Sequence, residues 1–390
     1  MKYVFIVLTL YAGLIGLSNA QELAYPDSFN EPMELFPDAM GDFFFPISSE
    51  NDLAQAYFNQ GFQLMYSFAK EDAVRSFQAS HLADPDCAVC WWGESWAWGS
   101  YLNGAMTSAQ APRAYFALKQ ALLRIDSANE KEADMIRALE VRYIENFDPA
   151  NRRLQDKDYA DAMGELAKKY PDDLETAVFY SLSVLATADL NDKTYVKQKK
   201  SGKILEKLFE KYPNHPGIAH YIIHNYDSPE LAHMALPTAR KYAIIAPSSA
   251  HAQHMPSHIF TRLGLWNESI KSNIASAKSA VCYAESVNPN ANWVSEIHAL
   301  DYLVYAYLQI GDNQKAKLEL TKMNEIREVF PSDHFASAYA LIAVPCRLAI
   351  ENKNWDLAAK LELPKTNLDW EKADWPVAML HFSRALGFSN

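Results

Sequence analysis

From Leu53 onward the chain places apolar residues at spacings of three and four, with Leu53, Ala56, Tyr57, Phe58 and Gly61 opening the pattern. That period puts them on one side of an α-helix, and Ser49 is a residue type suited to cap its start. The same reading predicts helices over residues 114–125, 130–146 and 159–169. Residues 174–188 are almost wholly apolar and read as a helix buried on all sides. Residues 189–201 are polar and lysine-rich, and read as an exposed loop or insertion. Helical patterning resumes over 202–211, and 371–386 reads as a closing helix with polar residues on its outer face. Ahead of all this, residues 21–48 are rich in Pro, Asp and aromatics (Phe36, Phe43, Phe44, Phe45) without a sustained period. They read as an extended segment pinned to the first helices by its rings.

The helices carry a repeated pattern of small and large residues. Starting at Ala54, bulky Tyr57, small Gly61, small Ala73, aromatic Phe77, small Ser80 and terminating Pro85 follow one another at fixed offsets. Small residues at two of these places let paired helices cross closely, an aromatic fills the space between them, and proline stops the second helix. The pattern resembles the tetratricopeptide repeat, a 34-residue unit of two antiparallel helices. Contiguous units start at Pro216 and Ala250, and a third near Ile297 has Gly311 and Asp312 as its inter-helix turn. Trp355 and Ala358 belong to a last unit. The resemblance implies an all-α, right-handed superhelical solenoid of antiparallel helix pairs over residues 49–390, with each pair packing on its neighbours.

The repeat gives meaning to the histidines. His220 and His224 are four residues apart, as are His254 and His258, and the two pairs are offset by one 34-residue unit. Imidazoles at i and i+4 share a helix face and can reach one ion. In the repeat family, positions 2, 5, 9, 12 and 13 face the concave groove. The resemblance therefore sends His220, His224 and Asp227 from the first tandem unit, His251, His254 and His258 from the second, and His298, Asp301 and Tyr305 from the third toward one surface. Neutral imidazole suits zinc, copper, iron and nickel, and Asp227 or Asp301 could supply an oxygen ligand or orient a ring. The remaining histidines, His81, His215, His233, His334 and His381, read as surface or packing residues. Pro256 lies inside the second pair, so it either kinks that helix or starts a new one with His254 outside it. Neither pair contains the glutamate of the HExxH metalloproteases, which removes that route to peptidase chemistry.

Composition narrows the setting. A formal net charge of −12 argues against nucleic acid and anionic lipid as partners. Residues 1–20 have a short apolar core ending in Ser18, Asn19, Ala20 and read as a secretory signal, a retained anchor being the alternative. Export to a periplasmic or extracellular setting follows, with no membrane span in the mature chain. Four cysteines fit an oxidising compartment. Cys87 and Cys90 form a CxxC at a helix start, open to a disulfide, free thiols or metal ligation, whereas Trp91 in place of His excludes covalent haem attachment. The tryptophans at 91, 92, 96 and 98 read as core, or as an aromatic wall of the groove with Glu94 as a further ligand or acid. No phosphate-binding glycine loop or nucleophile elbow is present.

The stretches CxxCWWGE, HYIIHNYDSP and HAQHMPSHIF, together with the signal, resemble those of exported bacterial tetratricopeptide proteins. The resemblance covers most of the mature chain and implies a fold rather than a reaction. The sequence thus leads to an exported binding protein whose groove holds a divalent transition metal (Zn, Cu or Fe), or a peptide, protein or small-molecule ligand. A metal-dependent enzyme using the same cluster, and a protein-interaction scaffold without metal, are the alternatives.

Overall fold

A computed structural model describes residues 29, 31–36, 43–102, 104–189, 191–245 and 247–390. The proposed signal segment lies outside the described residues. The chain divides into a unit Met1–Pro32 and a unit Met33–Asn390, and everything below concerns the second. It is built of α1 (Asp52–Tyr66), α2 (Lys70–Ala83), α3 (Ala88–Trp98), α4 (Ala111–Leu123), α5 (Glu130–Glu140) and α6 (Arg152–Lys169). There follow α7 (Leu174–Ala186), α8 (Val196–Lys211), α9 (Pro216–Tyr226), α10 (Ala232–Ile245), α11 (Ala250–His254) and α12 (Pro256–Arg262). The last six are α13 (Trp266–Val287), α14 (Val294–Gln309), α15 (Asn313–Glu325), α16 (Phe335–Glu351), α17 (Trp355–Ala359) and α18 (Asp374–Ser389). Every helix packs on its successor, which makes the unit an all-α stack of helix hairpins. Its one sheet among the described residues is a two-residue parallel pairing, β1 (Asn292–Trp293) on β2 (Val329–Phe330).

Local chemistry sets the boundaries. Pro216 and Ala250 are the first residues of α9 and α11, as the repeat register requires, because His215 and Ser249 cap those helices by accepting from the amides of Ile218 and Ala252. Gly264 and Gly311 adopt φ of +70° and +76°, the left-handed geometry that lets a short turn join α12 to α13 and α14 to α15. Two expectations change. The cap of α1 is Asn51, whose side chain receives the amides of Leu53 and Ala54, while Ser49 lies two residues earlier and accepts from the Asn51 amide. The segment 189–201 is not wholly loop: α8 starts at Val196, just after Tyr195 at φ +56°. Its lysines occupy the solvent side of a helix whose other side buries Ser201, Gly202 and Leu205.

The core of the first half is aromatic. Phe58, Phe62, Phe77, Trp92, Trp96 and Phe179 are buried and meet edge to face or offset. Gly61 and Gly93 are small for a reason, since a Cβ on either would lie 2.8 or 2.3 Å from the Phe77 ring. The tryptophan helix is therefore core and not a groove wall, and Glu94 is fully engaged there by Gln78, His81 and Trp98. Phe45 stacks on Phe62 at 4.9 Å and Phe43 at 5.5 Å, so these two rings pin the extended segment, while Phe36 and Phe44 stay exposed. No helix among the described residues is long and apolar enough to cross a membrane.

Lys70, the first residue of α2, donates to the Gly99 carbonyl at 2.6 Å and lies over the Tyr101 ring. Burial, with Arg142 and Arg152 nearby, pushes its ammonium down to about 7. Between that value and the ordinary lysine range the unfolded chain holds the extra proton, so the penalty is complete below pH 7 and fades as pH rises. Lys70→Met is expected to raise the melting temperature at pH 6 and to raise it less at pH 9. Equal shifts at both pH values, read by calorimetry, would contradict the assignment.

Candidate metal centre

The histidines singled out by spacing converge into two groups of three. In the first triad, His220 Nε2 lies 3.0 Å from His224 Nε2 and 3.0 Å from His251 Nε2. In the second, His254 Nε2 lies 3.0 Å from His258 Nε2, and the His298 ring centroid is 4.4 Å from that of His254. One potential ligand atom from each member of a triad falls within 4.8 Å of the others. The same construction occurs twice, one repeat apart: an i, i+4 pair from one unit is completed by the second residue of the next. Helix α11 contributes to both, His251 to the first triad and His254 to the second, with their rings 6.5 Å apart.

Pro256 does interrupt the helix. It begins α12, and Met255 is the junction between α11 and α12. Met255 nevertheless keeps helical angles (φ −51°, ψ −39°), so His254 and His258 retain their one-turn relation and their rings still meet.

Hydrogen bonds fix the rings' protons. His220 Nδ1 lies 2.5 Å from the Tyr66 carbonyl oxygen, which can only accept. His254 Nδ1 faces Asn273 Oδ1 at 2.7 Å, and the Asn273 amide nitrogen is committed to the Ser269 carbonyl. His258 Nδ1 faces Asp227 Oδ2 at 2.9 Å. Each of the three thus carries a proton on Nδ1 and turns Nε2 inward, and on neutral His220 and His254 that atom offers a lone pair. In the second triad the two Nε2 atoms face each other across 3.0 Å, a separation that either a shared proton or a metal ion bridges. In the first, a single His220 lone pair faces two imidazoles.

The surroundings keep these rings uncharged. Burial, then neighbouring histidines, lowers His224 to about 3, and the same two causes lower His298 to about 3. His220, His251 and His254 are held well below the usual histidine range, burial again being the leading cause. Asp227 behaves oppositely: burial would raise its carboxyl, but the bonds to His258 and to Arg262, 2.9 Å away, hold it far below the carboxylate range. Five imidazoles held neutral, with His258 paired to Asp227, form a nitrogen-rich pocket.

A second layer orients the first. Glu175 accepts from the Tyr66 hydroxyl and pairs with His215 Nε2 at 2.7 Å, and His215 caps the helix that carries His220 and His224. Tyr66 therefore holds the site through both its hydroxyl and its carbonyl. Phe68, at φ +60°, covers the first triad with ring centroids 4.3, 5.2 and 5.2 Å from His220, His224 and His251. Tyr302 sits edge-on to His254 at 4.7 Å. The expectation of an open groove changes here: His220 is fully buried and His254 nearly so.

No protein-family model and no curated protein matches the chain. Among solved structures, the chain is similar to a tetratricopeptide repeat protein from Parabacteroides merdae. The identity is 11%, the TM-score 0.37, and the match covers 86% of this chain and 99% of that one.

Not every expected residue joins the centre. Asp227 meets it from outside through His258, whereas Asp301 is buried in an ion pair with Arg347 at 2.6 Å and is not grouped with either triad. Tyr305 takes part in that pair's surroundings, its ring under the Arg347 guanidinium at 5.0 Å. Cys87 and Cys90 are joined as a disulfide at the start of α3, among the core aromatics and not among the histidines. His81 and His215 are packing residues of one kind, each bonded to a buried glutamate. Tyr66, Phe68, Glu175, Asn273 and Tyr302 also shape the centre, although none belongs to the histidine spacing. Only Asn273 carried a readable signal: it is polar at the place in its repeat where the pattern calls for a large or aromatic residue.

Proposed function

We propose that this is an exported metal-binding protein that holds two transition-metal ions, one in each histidine triad. The observation that carries the reading is the convergence of the His254 and His258 Nε2 atoms, each ring oriented from behind through Nδ1, with a third imidazole beside them and a second triad built from the pair one repeat earlier. Neutral, pre-oriented imidazoles are the form in which histidine binds metal, and little proton release is needed on loading. Zinc, copper and iron all suit such a set. Three protein ligands leave a coordination position open on each ion, the arrangement of reactive or ligand-binding centres, in contrast to the closed four-ligand shells of structural zinc. The apolar leader over residues 1–20 supports export.

Metal analysis of untagged protein, loaded with Zn²⁺, Cu²⁺ or Fe²⁺ and dialysed, tests the reading. Two equivalents of at least one metal per chain are expected, and failure of all three to remain bound would sink it. Asp227→Asn removes the charge that fixes the His258 tautomer. It is expected to weaken the second site about 10–100-fold, the usual effect of losing such a partner, and to leave the first unchanged. A chelator competition titration resolves the two sites, and equal weakening of both would contradict the role given to Asp227.

A further inference from the structure

A cavity of about 310 Å³ opens between the α1–α2 hairpin and helices α10, α11 and α13. Leu64, Phe68, Tyr242, Tyr283 and Trp293 supply its apolar wall, and His251 of the first triad lies in the same wall. The cavity therefore shares two side chains with the centre: His251, a member of the triad, and Phe68, whose ring covers all three imidazoles on its other side. Its volume is at the lower end of the ~300–1,000 Å³ of small-molecule sites, room for one ring with a short substituent. The charged groups on the wall are mutually compensated. Asp72 pairs with Arg75 at 3.3 Å and accepts from the Tyr283 hydroxyl at 2.9 Å, so it presents no free anion to repel a negative ligand.

We propose that this cavity binds an aromatic monocarboxylate whose carboxylate oxygen takes the open coordination position of the ion at His220, His224 and His251. The inference rests on the metal reading above and adds to it a ligand class. Three neutral imidazoles leave the full charge of a divalent ion in place, so the favoured fourth ligand is an anion. The aromatic part of the wall selects the body attached to it: a flat ring packs against Phe68, Tyr242 and Trp293, and that surface disfavours a ligand that is polar throughout. Phe68 is the partition between the two halves of the site. Its backbone sits in the left-handed region, which a non-glycine residue rarely adopts, and the ring lies over the histidines from there. Entry of the carboxylate requires this ring to turn aside.

The test uses the full mature chain loaded with Co²⁺, whose visible absorption reports its ligands. Titration with benzoate is expected to give a saturable spectral change from one of two bound ions, with acetate binding at least 10-fold more weakly. Ser279→Trp, which places a large ring in the cavity and leaves all six histidines in the chain, is expected to hold two Co²⁺ ions and lose the benzoate response. Two bound ions with no response to benzoate, or an equal response to acetate, would overturn the ligand assignment and leave the metal reading standing. Failure of Co²⁺ to occupy the first triad would instead overturn the metal reading beneath it. The benzoate-to-acetate comparison in the unaltered chain decides the matter even where the tryptophan variant does not fold.

Discussion

Replacing His224 by Ala is expected to lower the bound metal from two ions per chain to one, and His298→Ala to do the same at the other triad. Each lies at the less buried edge of its triad, so the loss of a ligand dominates over the loss of packing. Two imidazoles remain in the altered site, and its affinity falls by more than the about 10–100-fold that accompanies loss of an outer-shell partner. The double variant is expected to hold none. His233→Ala and His381→Ala, which alter exposed rings that belong to neither triad, serve as controls and keep two equivalents. Inductively coupled plasma mass spectrometry after dialysis reads all five proteins. Retention of two ions by either single triad variant would show that the triads are not the sites.

The second large effect concerns acid. In the metal-free chain His224 and His298 titrate at about 3, burial being the chief cause, while in the unfolded chain they titrate in the ordinary histidine range. Between those values the unfolded state holds more protons, so stability rises with pH across the window and is lost as pH falls from about 6.5 toward 3. Each such group adds a slope of about 1.4 kcal/mol per pH unit, and His220, His251 and His254 act in the same direction. The apo chain is therefore expected to unfold cooperatively on mild acidification. Bound metal stabilises the folded state by about 4 kcal/mol when free metal exceeds the dissociation constant a thousandfold, which moves the midpoint to lower pH. Acid titrations followed by circular dichroism, with and without Zn²⁺, read the shift. Superimposable curves, or an apo chain indifferent to pH between 6.5 and 4, would contradict the account.

Much of this architecture was legible because repeat proteins write their packing locally. Pro216 and Ala250 could be placed as helix starts from sequence since the caps at His215 and Ser249 and the small residues at close crossings are all neighbours in the chain. The six histidines could be selected for the same reason: an i, i+4 pair and a 34-residue offset are properties of spacing. What spacing does not encode is which faces end up opposed. The triad boundary between His251 and His254 depends on how α9, α11 and α14 meet, and a shared groove with eight ligands was the natural expectation from register alone. Asp301 shares the register of His220 and His254, but Arg347 from α16 claims it, and no local pattern announces that pairing. Phe68 lies 152 residues before His220, in the turn between α1 and α2, and reaches the site only because α1 packs on α9. The lysines of residues 196–200 misled in a different way, because a polar run marks an exposed helix face as readily as it marks a loop.

Anomalous diffraction from crystals of the protein loaded with Zn²⁺, recorded at the zinc edge, tests the central claim most directly. Two peaks per chain are expected. One should lie about 2.0–2.1 Å from ring nitrogens of His220, His224 and His251, and the other at the same distance from His254, His258 and His298. Peaks elsewhere on the surface, with both triads left without anomalous signal, would contradict it.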